Sequence, residues 1–156
     1  MLLRELINQT VVQKDEIKQR RTICQMGLLN AKEDLRETMS RHKNELASDA
    51  VRITEETDFK SMGLTNQKQR DQYIFDFQKD LREQQKDIES DLRLIVEQGE
   101  LREKELYDEY TYYEDRLAML MKIYDIEGEI ELEDIFIEKR QKITECGEDD
   151  KEEPTS

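Results

Sequence analysis

Proline occurs once in this chain, at Pro154, tryptophan is absent, and five glycines are spread over 156 residues. So little punctuation leaves few places for the tight loops that sheets need, whereas Leu, Glu, Lys, Arg, Gln and Met, all good helix formers, dominate. No run of about 18 apolar residues exists to cross a bilayer. Arg4 and Glu5 interrupt the N-terminal apolar stretch, so neither a signal peptide nor a membrane span is expected. Cys24 and Cys146 are the two cysteines and His42 the one histidine. No Cys-x-x-Cys spacing occurs, and the cysteines read as cytosolic thiols. A single histidine excludes a two-histidine metal site and the Glu-x-x-His pairs of di-iron bundles within one chain. Glycine-rich phosphate loops, serine elbows and His-Glu-x-x-His are all missing, so no enzyme and no cofactor is expected.

What is plentiful is charge. Hydrophobic residues make up 35% of the chain and charged ones 41%, which is too little apolar material for a thick layered core. The net charge of −14 repels nucleic acid at range, and direct binding to DNA or RNA is disfavoured. The one basic group, Lys14, Lys18, Arg20 and Arg21, is interleaved with Asp15 and Glu16. It reads as an ordinary charged helix face. Residues 127–156 hold twelve acidic and four basic side chains, so −8 of the −14 falls in the last thirty residues, and the preceding sequence is far closer to balance.

The apolar residues that remain recur in steps of three, four and seven. Leu3, Ile7, Ile17, Cys24, Leu28, Leu35, Met39, His42, Leu46 and Ile53 form one stripe, in which His42 is a packed seam residue and Lys14 and Arg21 are polar intruders. A break follows over 59–66, where Gly63 accommodates a positive φ and Asn66 with Gln69 resembles a capping box. A second stripe runs from about Gln67 to Tyr124 through Ile74, Phe77, Leu81, Ile88, Leu92, Ile95, Leu106, Tyr110, Tyr113, Leu117, Leu120 and Tyr124, interrupted by Gly99 and Arg102. The predicted fold class is therefore all-α. Two long antiparallel helices over 1–126, each about 80 Å at 1.5 Å per residue, form a coiled-coil-like hairpin. A short helix is expected over 127–144, packed through Leu132, Ile135, Phe136 and Ile143, although the alternation at 129–132 also admits a strand. A disordered acidic tail over 145–156 completes the chain.

Aromatic residues supply the candidate site. Tyr110 and Tyr113 share the stripe, whereas Tyr107 and Tyr112 cannot, given roughly 100° of turn per residue. Tyr73 and Phe75 flank the seam beside Phe77. Tyr73, Phe75, Tyr107 and Tyr112 are the expected protein-partner interface, since exposed aromatics near arginine favour recognition.

The segment Gly63–Tyr110, through Gly63, Asn66, Gln69 and Arg70, resembles small coiled-coil proteins encoded by bacteriophages and prophages, over about residues 60–120. The resemblance implies a non-enzymatic accessory protein acting in the bacterial host cytoplasm beside recombination, replication or host takeover. With polar residues in its seam, a lone hairpin buries little, and a homo-oligomer that also binds a host or phage protein is expected. The alternative is an acidic inhibitor that mimics nucleic acid in a DNA-processing or defence enzyme. The interleaved Lys and Arg oppose it.

Overall fold

The computed structural model describes residues 1–132. Its elements are α1 (Leu3–Glu56), α2 (Gln67–Phe77) and α3 (Lys79–Glu127), and α1 packs against α3 as an all-α hairpin. Two compact units make it up. One holds Met1–Arg20 with the chain from Leu106 onward, the other Arg21–Glu105.

The sheltered positions follow a seven-residue repeat, the period at which two helices keep the same faces in contact. On the α3 side they are Gln78, just before the helix, and then Gln85, Leu92, Gly99, Leu106, Tyr113 and Leu120, interleaved with Glu89, Val96, Glu103, Tyr110 and Leu117. On α1, Leu3, Thr10, Ile17, Cys24, Ala31 and Thr38 alternate with Ile7, Lys14, Arg21, Leu28, Leu35 and His42. This corrects the expected stripes at several points. Met39, Phe77, Ile88, Ile95 and Tyr124 are exposed. Ile88 and Ile95 each precede a true seam residue, Glu89 or Val96, and one residue is enough to turn a side chain roughly 100° away. Gly99 lies in the seam against Leu28, whereas Arg102 points outward to Glu105.

The Arg21–Glu105 unit contains the turn. Gly63 takes φ +76°, the left-handed region that glycine enters without a Cβ penalty. Asn66 caps α2 by accepting the Gln69 N–H at 2.9 Å, and the Gln69 side chain accepts the Thr65 N–H at 3.0 Å. The box forms, with its return bond one residue earlier than the usual pattern. Arg70 closes the turn by donating to the Leu64 carbonyl at 3.2 Å while its guanidinium lies 5.5 Å from the centre of the Phe59 ring.

The second long helix is not continuous as expected: Gln78 separates α2 from α3. Backbone hydrogen bonds continue through the break, from Gln78 N–H to Ile74 and from Arg82 N–H to Gln78. The break is therefore a local kink. The buried Gln78 side chain explains it, donating across the hairpin to the Leu46 carbonyl at 2.9 Å and to Asp49 Oδ2 at 3.2 Å.

In the other unit Leu3, Leu6 and Leu120 form a buried cluster, with Met1, Ile7, Ile123, Ile130 and Leu132 packed against it. Gly128, at φ +71°, ends α3 with its N–H on the Tyr124 carbonyl and turns the chain back toward α1. The expected helix from Ile130 does not start there. Ile130 and Leu132 flank an isolated antiparallel bridge between Leu2 and Glu131, a single pairing that does not make the strand the alternation also admitted, and the described residues contain no strand. The returning segment occupies the first N–H groups of α1. Leu3 N–H donates to the Ile130 carbonyl at 2.9 Å and Arg4 N–H to Glu129 Oε1 at 3.1 Å. The rest of the expected short helix and the acidic tail lie outside the described residues.

Candidate interaction surfaces

Two polar residues in a seam are tolerable when each answers the other, and the Arg21–Glu105 unit pairs them across the helices. Arg21 Nε donates to Glu103 Oε1 at 2.8 Å, and Gln25 reaches the same oxygen at 3.1 Å. Hydrogen bonding from Arg21, with a smaller contribution from Gln25, holds the Glu103 carboxyl below its ordinary range. His42 is 5% exposed, its Nδ1 lies 2.9 Å from Glu89 Oε1, and Arg93 approaches the other oxygen of Glu89. Gln85 donates to the His42 carbonyl at 3.2 Å. Asp49 is held below the usual carboxylate range chiefly by hydrogen bonds from Arg52, then by Gln78. The described residues contain no buried side-chain nitrogen or oxygen without a partner.

In the Met1–Arg20 unit the polar intruder is answered differently. Lys14 Nζ sits 5.6 Å from the Tyr110 ring centre, in range for a cation–π contact. The basic group at 14–21 is thus partly committed to the seam, Lys14 through this ring and Arg21 through Glu103.

The four aromatic candidates are divided between the two units. Tyr73 and Phe75 belong to the unit with the turn, Tyr107 and Tyr112 to the other. Tyr73 is half-buried, packed edge-on against Phe59 at 5.8 Å and tilted against Phe77 at 6.0 Å, so it serves partly as a turn residue. It also lines an open groove with Leu64, Lys68, Gln69, Gln72 and Asp76. Phe75 is exposed, with the Arg82 guanidinium carbon 3.2 Å from its ring centre. Tyr107 is exposed and its carbonyl accepts the Thr111 hydroxyl. Tyr112 is exposed, stacks edge-on with Tyr113 at 5.2 Å, and its hydroxyl lies 3.4 Å from an Arg116 nitrogen.

Reading the sequence missed the apolar side chains that face outward elsewhere. Ile23, Met26, Leu29, Leu94 and Leu101 are all exposed. Their off-stripe positions were the available signal. The described residues hold no group of three His, Cys, Asp or Glu side chains placed to bind a metal ion, and no described helix is long and apolar enough to cross a membrane.

No family model, curated protein or solved structure matches this chain.

Proposed function

We propose that this chain is a non-enzymatic helical interaction protein that self-associates and binds a protein partner in the cytoplasm. One observation carries the reading: two exposed aromatic rings, Phe75 and Tyr112, are each held by a neighbouring arginine, Arg82 and Arg116. Aromatic and arginine side chains dominate the energetic centres of protein interfaces, and a ring already fixed by its neighbour loses less freedom on binding. The phage-accessory role rests on Gly63, Asn66, Gln69 and Arg70. All four are used in building the turn, so they speak for its construction more than for a target.

The test is capture from nuclease-treated bacterial lysate with the tagged full-length chain. The expected result is a protein retained at fixed stoichiometry in about 1 M salt, where the screening length falls to ~3 Å. Replacing Phe75 or Tyr112 with Ser is expected to abolish capture without changing helicity. Capture that survives both replacements but is lost in salt overturns this reading in favour of the acidic mimic.

A further inference from the structure

Along α3 the exposed side chains Tyr112, Met119 and Ile126 recur every seven residues, and the half-buried Arg116 and Ile123 fall between them. Steps of four and three at roughly 100° per residue keep all five within about 40° of one line, so they form a single face. No carboxylate lies on it: Asp115 and Lys122 stand at one edge and Leu120 at the other. This is the spacing by which one helix receives another, yet α1 sits on a different face, against Tyr110, Tyr113, Leu117 and Leu120. The described residues cover this second seam at one point. There Ile123 packs on the Leu3, Leu6 and Leu120 cluster together with Ile130 and Leu132 of the returning chain.

We propose that the residues that follow, 133–144, cover the rest of this face in the same chain and so shield the partner site at Tyr112. Three observations select this occupant. The described chain ends at Leu132, whose N–H is on the Met1 carbonyl and whose side chain packs on the cluster that holds Ile123, so the segment starts at the Ile126 end of the face. Its apolar side chains, Ile135, Phe136, Ile137 and Ile143, are the last hydrophobic ones in the chain apart from Cys146. As a helix the segment is about 18 Å long, against about 15 Å from Ile126 to Arg116. Running back along α3 also carries Lys139, Arg140 and Lys142, late in the segment, toward Asp108, Glu109 and Asp115 at the far end of the face. A tethered segment acts at an effective concentration in the millimolar range, which a second copy in dilute solution does not reach. Arg116, where the covered stretch ends, holds the Tyr112 hydroxyl, so the segment and a protein partner compete there. This regulatory part rests on the function proposed above.

Thiol labelling of the full-length chain tests the cover, on a background of Cys24→Ser and Cys146→Ser. Met119 and Met121 are both 51% exposed, but Met121 lies about 200° round the helix from Met119, outside the face. The Met119→Cys thiol should react with a maleimide at least ~10-fold more slowly than the Met121→Cys thiol. The double variant Phe136→Glu with Ile143→Glu should abolish that difference and leave helicity unchanged. The pair Met119→Cys with Lys139→Cys should also cross-link within one chain through a short bismaleimide at about 1 µM protein, where encounters between chains are rare. Equal rates at the two positions, slow labelling that the double variant leaves in place, or a cross-link that is absent or forms only between chains overturns the cover and leaves the partner reading untouched. In the lysate capture, uncovering the face with the double variant should raise retention of the partner protein at least ~3-fold, because the binding-competent fraction rises. Unchanged retention overturns the competition alone. Capture that survives Tyr112→Ser overturns the partner reading at Tyr112, and the labelling result stands without it.

Discussion

Arg21 and Glu103 face each other across the seam, Nε to Oε1 at 2.8 Å, where a coiled coil ordinarily places a hydrophobic pair. The guanidinium depresses the Glu103 pKa, so the native state holds this carboxylate ionised more firmly than the unfolded chain does. The stabilisation it gives is present above the unfolded carboxylate pKa and is lost as pH falls through the depressed native value. Thermal melts between pH 6 and 3 should show the wild type losing stability more steeply than Glu103→Gln, which lacks the titrating group. Parallel profiles for the two would refute a stabilising role for the pair.

Gln78 joins the kink to α1. Replacing it with Ala removes hydrogen bonds to Leu46 and Asp49 and leaves a void where a buried side chain stood. At about 1 kcal/mol per hydrogen bond, the expected loss is roughly 2 kcal/mol in urea unfolding. Asp49 also loses one of the donors that depress its pKa, so its titration should move upward by NMR.

The helical hairpin, its turn and its cap were legible because each depends on local chemistry: the abundance of helix formers, glycine at a positive φ, and Asn66 before a helix. The seam was only half legible. An apolar stripe is found by selecting the greasiest residue near each expected position, which chooses Ile88 and Ile95 over Glu89 and Val96. That choice fails where polar residues satisfy one another across the helices, because no single strand of sequence shows that His42 will meet Glu89 or that Gln85 will reach the His42 carbonyl. The Gln78 kink was illegible for the same reason. Of the four aromatic candidates, the exposure of Phe75, Tyr107 and Tyr112 follows from helical angle alone, whereas Tyr73 is half covered by Phe59, brought to it by the turn.

Gly99 is where the two helices come close enough for a side chain to matter. A Cβ at that position would lie 3.0 Å from Leu28 Cδ1, a contact a flexible Leu end relieves by a small shift. Gly99→Ala should therefore be near neutral, its gain in helix propensity of about 1 kcal/mol offset by the crowding. Gly99→Leu forces the helices apart and should cost about 1–3 kcal/mol. Chemical denaturation of both variants separates the outcomes, and a neutral Gly99→Leu would show that the helices are not closely apposed there.

The segment after α3 caps the start of α1, supplying the Ile130 carbonyl and the Glu129 carboxylate to the amides of Leu3 and Arg4 and covering Leu3 with apolar side chains. Free N–H groups at a helix start have no intrahelical acceptor, so removing these partners should let the first turns fray. The double variant Ile130→Asp with Leu132→Asp places two carboxylates against the Leu3, Leu6 and Leu120 cluster, where burial disfavours charge. Hydrogen exchange of residues 3–10 should accelerate at least ~10-fold, corresponding to about 1.4 kcal/mol of lost local stability, while exchange over 38–50, held by His42, Gln78 and Gln85, stays unchanged. Equal acceleration in both segments would mean that the variant weakens the whole chain and that the cap has no local effect.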